Sequence, residues 1–139
     1  MPPLQDWSTT RKRSARRQID GAIRDFREGE LECAITLAAA AEGQLPDTGS
    51  SYLLKGLKDH TSFSEVDYNF MINWLKHVKE PDKITITGYE AAIVLIRAIT
   101  KFVAAYSQIS PEMDAFLETS REWGFPPLDF RIPLVPPEC

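Results

Sequence analysis

The sequence is poor in the residues from which disulfide frameworks and metal centres are built. It has two cysteines and two histidines among 139 residues. Cys33 lies within a predicted helix and Cys139 is the last residue, so their spacing fits neither a set of disulfides nor a zinc site. We therefore predict no cofactor and no metal, and a protein suited to the reducing cytoplasm.

Long apolar runs are also scarce. The most apolar one, from Ala91 to Tyr106, is interrupted by Arg97 and Lys101 and is shorter than the roughly 20 residues that span a bilayer. The N-terminal residues MPPLQDWSTT lack the apolar segment of a secretory signal. These absences predict that the chain does not enter a membrane and is not exported.

Basic charge is unevenly distributed along the chain. Sixteen basic and twenty acidic residues give a formal net charge of −4, which argues against attraction of the whole chain to nucleic acid. Residues 1–17, however, contain five basic residues and one acidic residue. In and just after this segment, Arg13, Arg16, Arg17 and Arg24 are candidates for a face that contacts phosphates. The alternative is a solvated face that pairs with acidic neighbours.

The hydrophobic content is sufficient for one folded domain. Hydrophobic residues make up 43% of the chain and aromatic residues 10%, which is enough for a buried core at this length. Apolar periodicity predicts an all-α fold, an antiparallel helical bundle of about five or six helices. We expect a single helical domain over 1–139, with a basic N-terminal segment at 1–17 and an irregular, proline-rich tail at 125–139. The apolar residues of the tail predict that it docks on the domain or on a second subunit.

The first two predicted helices are close together in the chain. The first begins near residues 8–9 and runs to about Glu28. The second runs over 30–42 and ends at Gly43, which suits a left-handed cap. Its inner side is predicted to consist of Leu31, Ala34, Ile35, Ala38 and Ala41. The following residues, 44–62, are rich in turn formers, and only 51–57 is predicted to form a short helix.

Two more helices are predicted in the second half of the chain. Residues 84–87 alternate apolar and polar side chains like a short extended segment. Thr87 and Glu90 then form a capping box, and the helix that follows, to about Ser107, is apolar on several sides and should be central. Residues 110–112, Ser-Pro-Glu, signal the start of a last helix, which Gly124 closes.

The most informative stretch is Phe63–Asp82. Ser64 supplies a capping box at its start, and Pro81 predicts that the helix ends at or before Glu80. A broad apolar side predicts a helix at the centre of the bundle, beside the helix over 88–107. The residues on that side are Val66, Phe70, Met71, Trp74, Leu75 and Val78.

Asn69, Asn73, Lys76 and His77 form a polar stripe along the edge of this apolar side. In one interpretation these side chains are structural, and His77 is then partly buried and held by a hydrogen bond. In a second they form a small polar site, in which His77 exchanges a proton and Lys76 holds a phosphate. In a third they form a subunit contact. No glycine-rich phosphate loop accompanies the stripe.

Three motifs together resemble a family of small uncharacterised bacterial all-helical proteins. They are LAAAA at 37–41, NWLKH at 73–77 and EPD at 80–82. That family has an alanine-rich helix and an N-x-x-K-H motif, and the resemblance covers about residues 16–106. Leu75 replaces an aromatic residue of the family's motif, and Ile35 stands where the family has a histidine.

The helical layout of this family is similar to that of HEPN domains, which are small antiparallel bundles. Many HEPN domains dimerise and many cleave RNA. Their ribonuclease signature is an arginine and a histidine a few residues apart, which this sequence lacks. Lys55 and His60 have a comparable spacing with lysine in place of arginine, and Asn73 with His77 offers only an amide. The resemblance thus implies a bundle and a homodimer.

Two functions follow from these observations. The preferred one is a soluble, non-catalytic helical domain that forms a homodimer or binds a protein partner through its apolar helices and tail. The alternative is a HEPN-like nucleotide- or RNA-binding protein with low ribonuclease activity. In that case His77 is the general acid or base, and Lys76 and the basic first helix hold phosphates.

Overall fold

The computed structural model describes residues 4–46 and 65–125, with the backbone alone at 65–68. Over these residues the chain forms five α-helices and no strand: α1 (Arg11–Arg27), α2 (Leu31–Gln44), α3 (Glu65–Lys76), α4 (Gly88–Tyr106) and α5 (Pro111–Glu122). The predicted all-α bundle is confirmed. None of the helices in the described part is both long and apolar enough to cross a membrane.

Helix α1 begins at a side-chain cap. The hydroxyl of Thr10 accepts a hydrogen bond from the backbone N of Arg13 at 3.1 Å, so the helix starts slightly later than the sequence predicted. It ends beside Gly29, whose φ of +80° favours glycine. One face of α1 is buried against α2 and α4. The apolar residues of this face are Ala15, Ile19, Ala22 and Ile23.

Helix α2 pairs with α1 and ends differently from the prediction. Gly43 is not a left-handed cap, because it lies inside the helix, which ends at Gln44 and is followed by Leu45 in an extended conformation. Two tertiary contacts hold this end of the helix instead. Lys101 Nζ donates to the carbonyl O of Glu42 at 3.0 Å, and Gln44 Nε2 donates to Gln18 Oε1 at 2.7 Å. On the predicted inner side four residues are buried, while Leu31 is half-buried.

Helix α4 is the central helix of the bundle, as predicted. The Thr87 hydroxyl accepts from the backbone N of Glu90 at 3.1 Å, and every residue from Ala91 to Ile96 is buried. Helices α1 and α2 both pack on α4. Ahead of α4, the predicted alternation is present, because Ile84 and Ile86 pack on the core while the threonines between and after them are exposed.

Helix α3 differs most from the prediction. It ends at Lys76 and packs mainly against α2, so it is not at the centre of the bundle. Met71 is buried, but Phe70 is 44% exposed and Val78 is fully exposed. The prediction that these two side chains belong to the core is wrong. Within the described residues α3 has one main neighbour, which leaves part of its apolar side uncovered. Val78 lies beyond the end of the helix.

Helix α5 begins and ends where the sequence predicted. The Ser110 hydroxyl accepts from the backbone N of Met113 at 3.1 Å, with Pro111 at the first helical position. Met113, Phe116 and Leu117 are buried, and the last turn is followed by Gly124, whose φ is +90°. Of the predicted tail, only the first residue, Phe125, is among the described residues, and it is buried. The short helix predicted at 51–57 also lies outside them.

Candidate functional site

The four residues of the predicted polar site lie on α3 or directly after it. Asn69, Asn73, Lys76 and His77 are all exposed. The prediction that His77 is partly buried is therefore wrong. Its backbone N donates to the carbonyl O of Asn73 at 3.0 Å, but within the described part none of the four side chains makes a hydrogen bond. That the stripe forms a small polar binding site stays a prediction. Lys55 and His60 lie outside the described residues.

A groove of about 600 Å³ runs along the side of α1 that faces α5. We call it the arginine groove. Its lining residues are Arg16, Arg17, Asp20, Ile23, Arg24, Arg27 and Glu112. All except Glu112 lie on α1, at spacings of three and four residues that place them along one side of a helix. Three of the arginines predicted to contact phosphates therefore line one groove.

Asp20 is fixed in this groove by the start of α5. Ser110 Oγ donates to Asp20 Oδ1 at 2.7 Å while it accepts from the backbone N of Met113. A single hydroxyl thus caps α5 and orients a carboxylate on α1. Ser110 itself is completely buried and the Asp20 side chain is 18% exposed, so this contact is partly shielded from bulk water.

Arg16 is a buried cation with an incomplete set of partners. The residue is 4% exposed, and its Nε lies 3.7 Å from Asp20 Oδ2. That distance is too long for a hydrogen bond, and Nε makes none. Glu112 Oε2 is likewise buried without a hydrogen bond. Both atoms belong to side chains that line this groove, which makes the groove the candidate site.

The groove is cationic, and its charge depends on Asp20. Burial raises the pKa of Asp20 above its usual value. The hydrogen bond from Ser110 lowers that pKa, Glu112 raises it, and Arg16 and Arg24 lower it. Four guanidinium groups and two carboxylates line the groove. Its net charge is therefore +2 when Asp20 is ionised and +3 when Asp20 is protonated.

A second, apolar cleft of about 310 Å³ lies where the end of α5 meets α4 and α1. Tyr89 stacks on Phe125 with ring centroids 5.0 Å apart, and Trp123 packs on Phe26 at 5.6 Å. The cleft is also lined by Gly88 and Ala92, so no charged side chain lines it. This cleft adjoins the tail, of which only Phe125 is described.

The described residues contain no group of three or more histidine, cysteine, aspartate or glutamate side chains that is able to hold a metal ion. Searches against models of protein families, curated proteins and solved structures find no match to this chain. The HEPN-like character therefore stays a prediction from the sequence motifs.

The sequence predicted three residues of the arginine groove, Arg16, Arg17 and Arg24, and did not predict its other lining residues as part of a site. Arg27 continues the spacing of Arg24 on the predicted first helix and was detectable from that pattern. Asp20, Ser110 and Glu112 gave no comparable signal, because Asp20 and Ser110 are 90 positions apart in the chain. Only packing of α5 against α1 brings them together.

Proposed function

We propose that this chain is a non-catalytic helical domain that binds a phosphate-bearing ligand, a nucleotide or an RNA, in the arginine groove. The observation that carries the proposal is the state of Arg16. Its guanidinium group is buried, yet its closest carboxylate is 3.7 Å from Nε. A buried charge is stable only when other groups compensate it, and Asp20 does so in part. Arg16 lines the groove, so a phosphate group bound there adds a second counter-charge beside its guanidinium group.

The identity and arrangement of the cations favour phosphate groups. All four are arginines, whose planar guanidinium groups bind phosphate oxygens in pairs. Arg16 and Arg27 are eleven residues apart on α1, which corresponds to about 16 Å along a helix axis. That length suits a ligand with more than one phosphate, such as a nucleoside polyphosphate or a strand of RNA.

The proposal includes binding and no catalytic step. His77 is not among the residues that line the arginine groove, so the geometry does not bring the predicted general acid or base to the bound phosphate. From the HEPN-like alternative we therefore keep RNA binding and do not keep RNA cleavage. We place the domain in the cytoplasm on the basis of its low cysteine content.

The test is fluorescence anisotropy with a labelled single-stranded RNA oligonucleotide, in competition with ATP and with inorganic phosphate. The variant is Arg24→Gln with Arg27→Gln, because both side chains are exposed and their loss should not unfold the chain. The control is Arg121→Gln, an exposed arginine on α5 that does not line the groove.

We expect the double variant to lose about tenfold or more in affinity, because each contact between an arginine and a phosphate is charge-assisted. If three phosphates are bound, log K should fall with log salt concentration with a slope of about −2, and the slope should be smaller in the double variant. Equal affinities of the wild type and the double variant, or an equal loss in Arg121→Gln, would contradict the proposal. Competition by ATP but not by inorganic phosphate would indicate a ligand that is larger than one phosphate.

Self-association or binding of a protein partner is the second candidate. What supports it is the exposure of large apolar side chains at α3, namely Phe70 and Val78. Exposed apolar patches often mark protein interfaces. Light scattering on the wild type and on a Phe70→Ser, Val78→Ser variant tests a homodimer that uses this surface. A wild type that is monomeric at all concentrations would reject it.

A further inference from the structure

We propose that the ionised carboxylate of Asp20 competes with a ligand phosphate for the arginines of the groove. Binding of a phosphate-bearing ligand is then coupled to the uptake of a proton by Asp20. This inference rests on the proposed function, because it concerns the regulation of the same site.

The geometry places the Asp20 carboxylate where a ligand anion has to bind. Its Oδ1 accepts from Ser110 Oγ at 2.7 Å, and its Oδ2 is directed at Arg16 Nε at 3.7 Å. Both Asp20 and Arg16 line the groove. A phosphate oxygen that bonds to Arg16 is therefore close to Oδ2, and the two negative charges repel each other in a site partly shielded from water.

The charged groups that act on Asp20 come from two helices. Arg16 and Arg24 belong to α1 and favour the ionised carboxylate, whereas Glu112 belongs to α5 and disfavours it. Arg17 and Arg27 complete the lining, and in the described part α2 and α4 supply no lining side chain. Burial outweighs the attraction of the arginines, so the pKa of Asp20 is raised.

Protonation changes Asp20 from a competitor into a hydrogen-bond donor. Oδ1 can keep its hydrogen bond from Ser110, and a proton taken from solvent can reside on Oδ2, the oxygen that lies 3.7 Å from Arg16 Nε. A protonated carboxyl then donates to a phosphate oxygen instead of repelling it. Since the site now has one more net positive charge, the anion should bind more tightly at lower pH.

The experiment measures the affinity of full-length protein for a single-stranded RNA oligonucleotide between about pH 5 and pH 8. A phosphodiester probe is chosen because its charge is constant in this range, whereas a terminal phosphate titrates with a pKa of about 6. Asp20→Asn is the test variant, because asparagine keeps an oxygen that can accept from Ser110. Asp25→Asn removes a carboxylate from the same helix outside the groove, and His77→Ala removes an exposed imidazole outside the groove.

We expect the wild type to bind more tightly at the low end of this range than at pH 8, by about 5-fold or more once Asp20 is protonated, as is typical of coupled sites. Asp20→Asn should bind at all pH values as tightly as the wild type does at low pH, and the two control variants should retain the wild-type pH dependence. Calorimetry in two buffers of different ionisation enthalpy should show proton uptake by the wild type, and this measurement needs no variant to fold.

The outcomes separate the inference from the proposed function. If the wild type does not bind the oligonucleotide at any pH, both are overturned. If it binds, and the affinity depends on Arg24 and Arg27, but the pH dependence persists in Asp20→Asn or no proton is taken up, then only the role of Asp20 is overturned. If His77→Ala removes the pH dependence, the proton belongs to His77 and not to Asp20.

Discussion

Replacement of Ser110 by alanine should destabilise the protein by two separable contributions. The hydroxyl caps α5 through the backbone N of Met113 and also donates to the carboxylate of Asp20. Loss of a side-chain cap costs about 1 kcal/mol. Loss of a hydrogen bond to a charged, half-buried acceptor costs about 1 to 3 kcal/mol. We therefore expect Ser110→Ala to lower the free energy of unfolding by about 2 to 4 kcal/mol at neutral pH.

The second contribution should depend on pH. The hydrogen bond from Ser110 stabilises the ionised form of Asp20 and lowers its pKa. Once Asp20 is protonated, less is lost when that bond is removed. The cost of Ser110→Ala should therefore be greater at pH 7 than at about pH 4, close to the usual pKa of a carboxyl group.

The assay is urea unfolding of the wild type and the variant at both pH values, and α4 supplies a matched control. Thr87 caps α4 through the backbone N of Glu90 at 3.1 Å, the same distance as in the α5 cap, but Thr87 is exposed and makes no side-chain contact with a carboxylate. Thr87→Ala should cost about 1 kcal/mol at both pH values. If Ser110→Ala costs no more than Thr87→Ala, or if the difference between them does not change with pH, the reasoning about Asp20 is refuted.

Three further predictions concern the core, Asp20 and His77. Phe102 is completely buried, so Phe102→Ala should cost about 3 to 5 kcal/mol in urea unfolding, whereas Phe70→Ala at an exposed position should cost less than about 1 kcal/mol. The raised pKa of Asp20 means that the folded chain binds more protons than the unfolded chain between the two pKa values. The free energy of unfolding should therefore fall as pH rises through that interval, and thermal unfolding of Asp20→Asn should lack this decrease. His77 is exposed, so His77→Ala should change the melting temperature little. A decrease in melting temperature as large as that caused by Phe102→Ala would contradict the exposed position of His77.

The helix starts were the most predictable features of the fold, because their signals are local. The capping pair of Thr87 and Glu90 and the Ser110-Pro111 start each lie within four residues, and both caps are present in the structure. The end of α2 was not predictable from Gly43, because a lysine on α4 bonds to the carbonyl O of Glu42. Local sequence contains no information on such a distant partner.

The position of α3 and the location of the site were harder to predict for the same reason. A broad apolar side indicates how much surface a helix could bury, but not how many neighbours are there to cover it. Phe70 is exposed, and within the part of the chain that the structure describes α3 has one main neighbour. The arginine stripe on α1 was visible in the sequence, but Asp20 gained its significance only through contact with Ser110 on another helix.

Within the described residues α3 is attached through mainly one neighbour, which predicts where the protein opens first. Helices α1, α2 and α4 contact one another in all three combinations, whereas α3 packs mainly on α2. No described residue of α3 lines the arginine groove, so we expect detachment of α3 to leave that three-helix unit and the groove intact. Segments with few buried contacts open at free energies well below that of global unfolding. Backbone amides of α3 should accordingly exchange with deuterium through a local opening, while those of α4 exchange only when the whole domain unfolds.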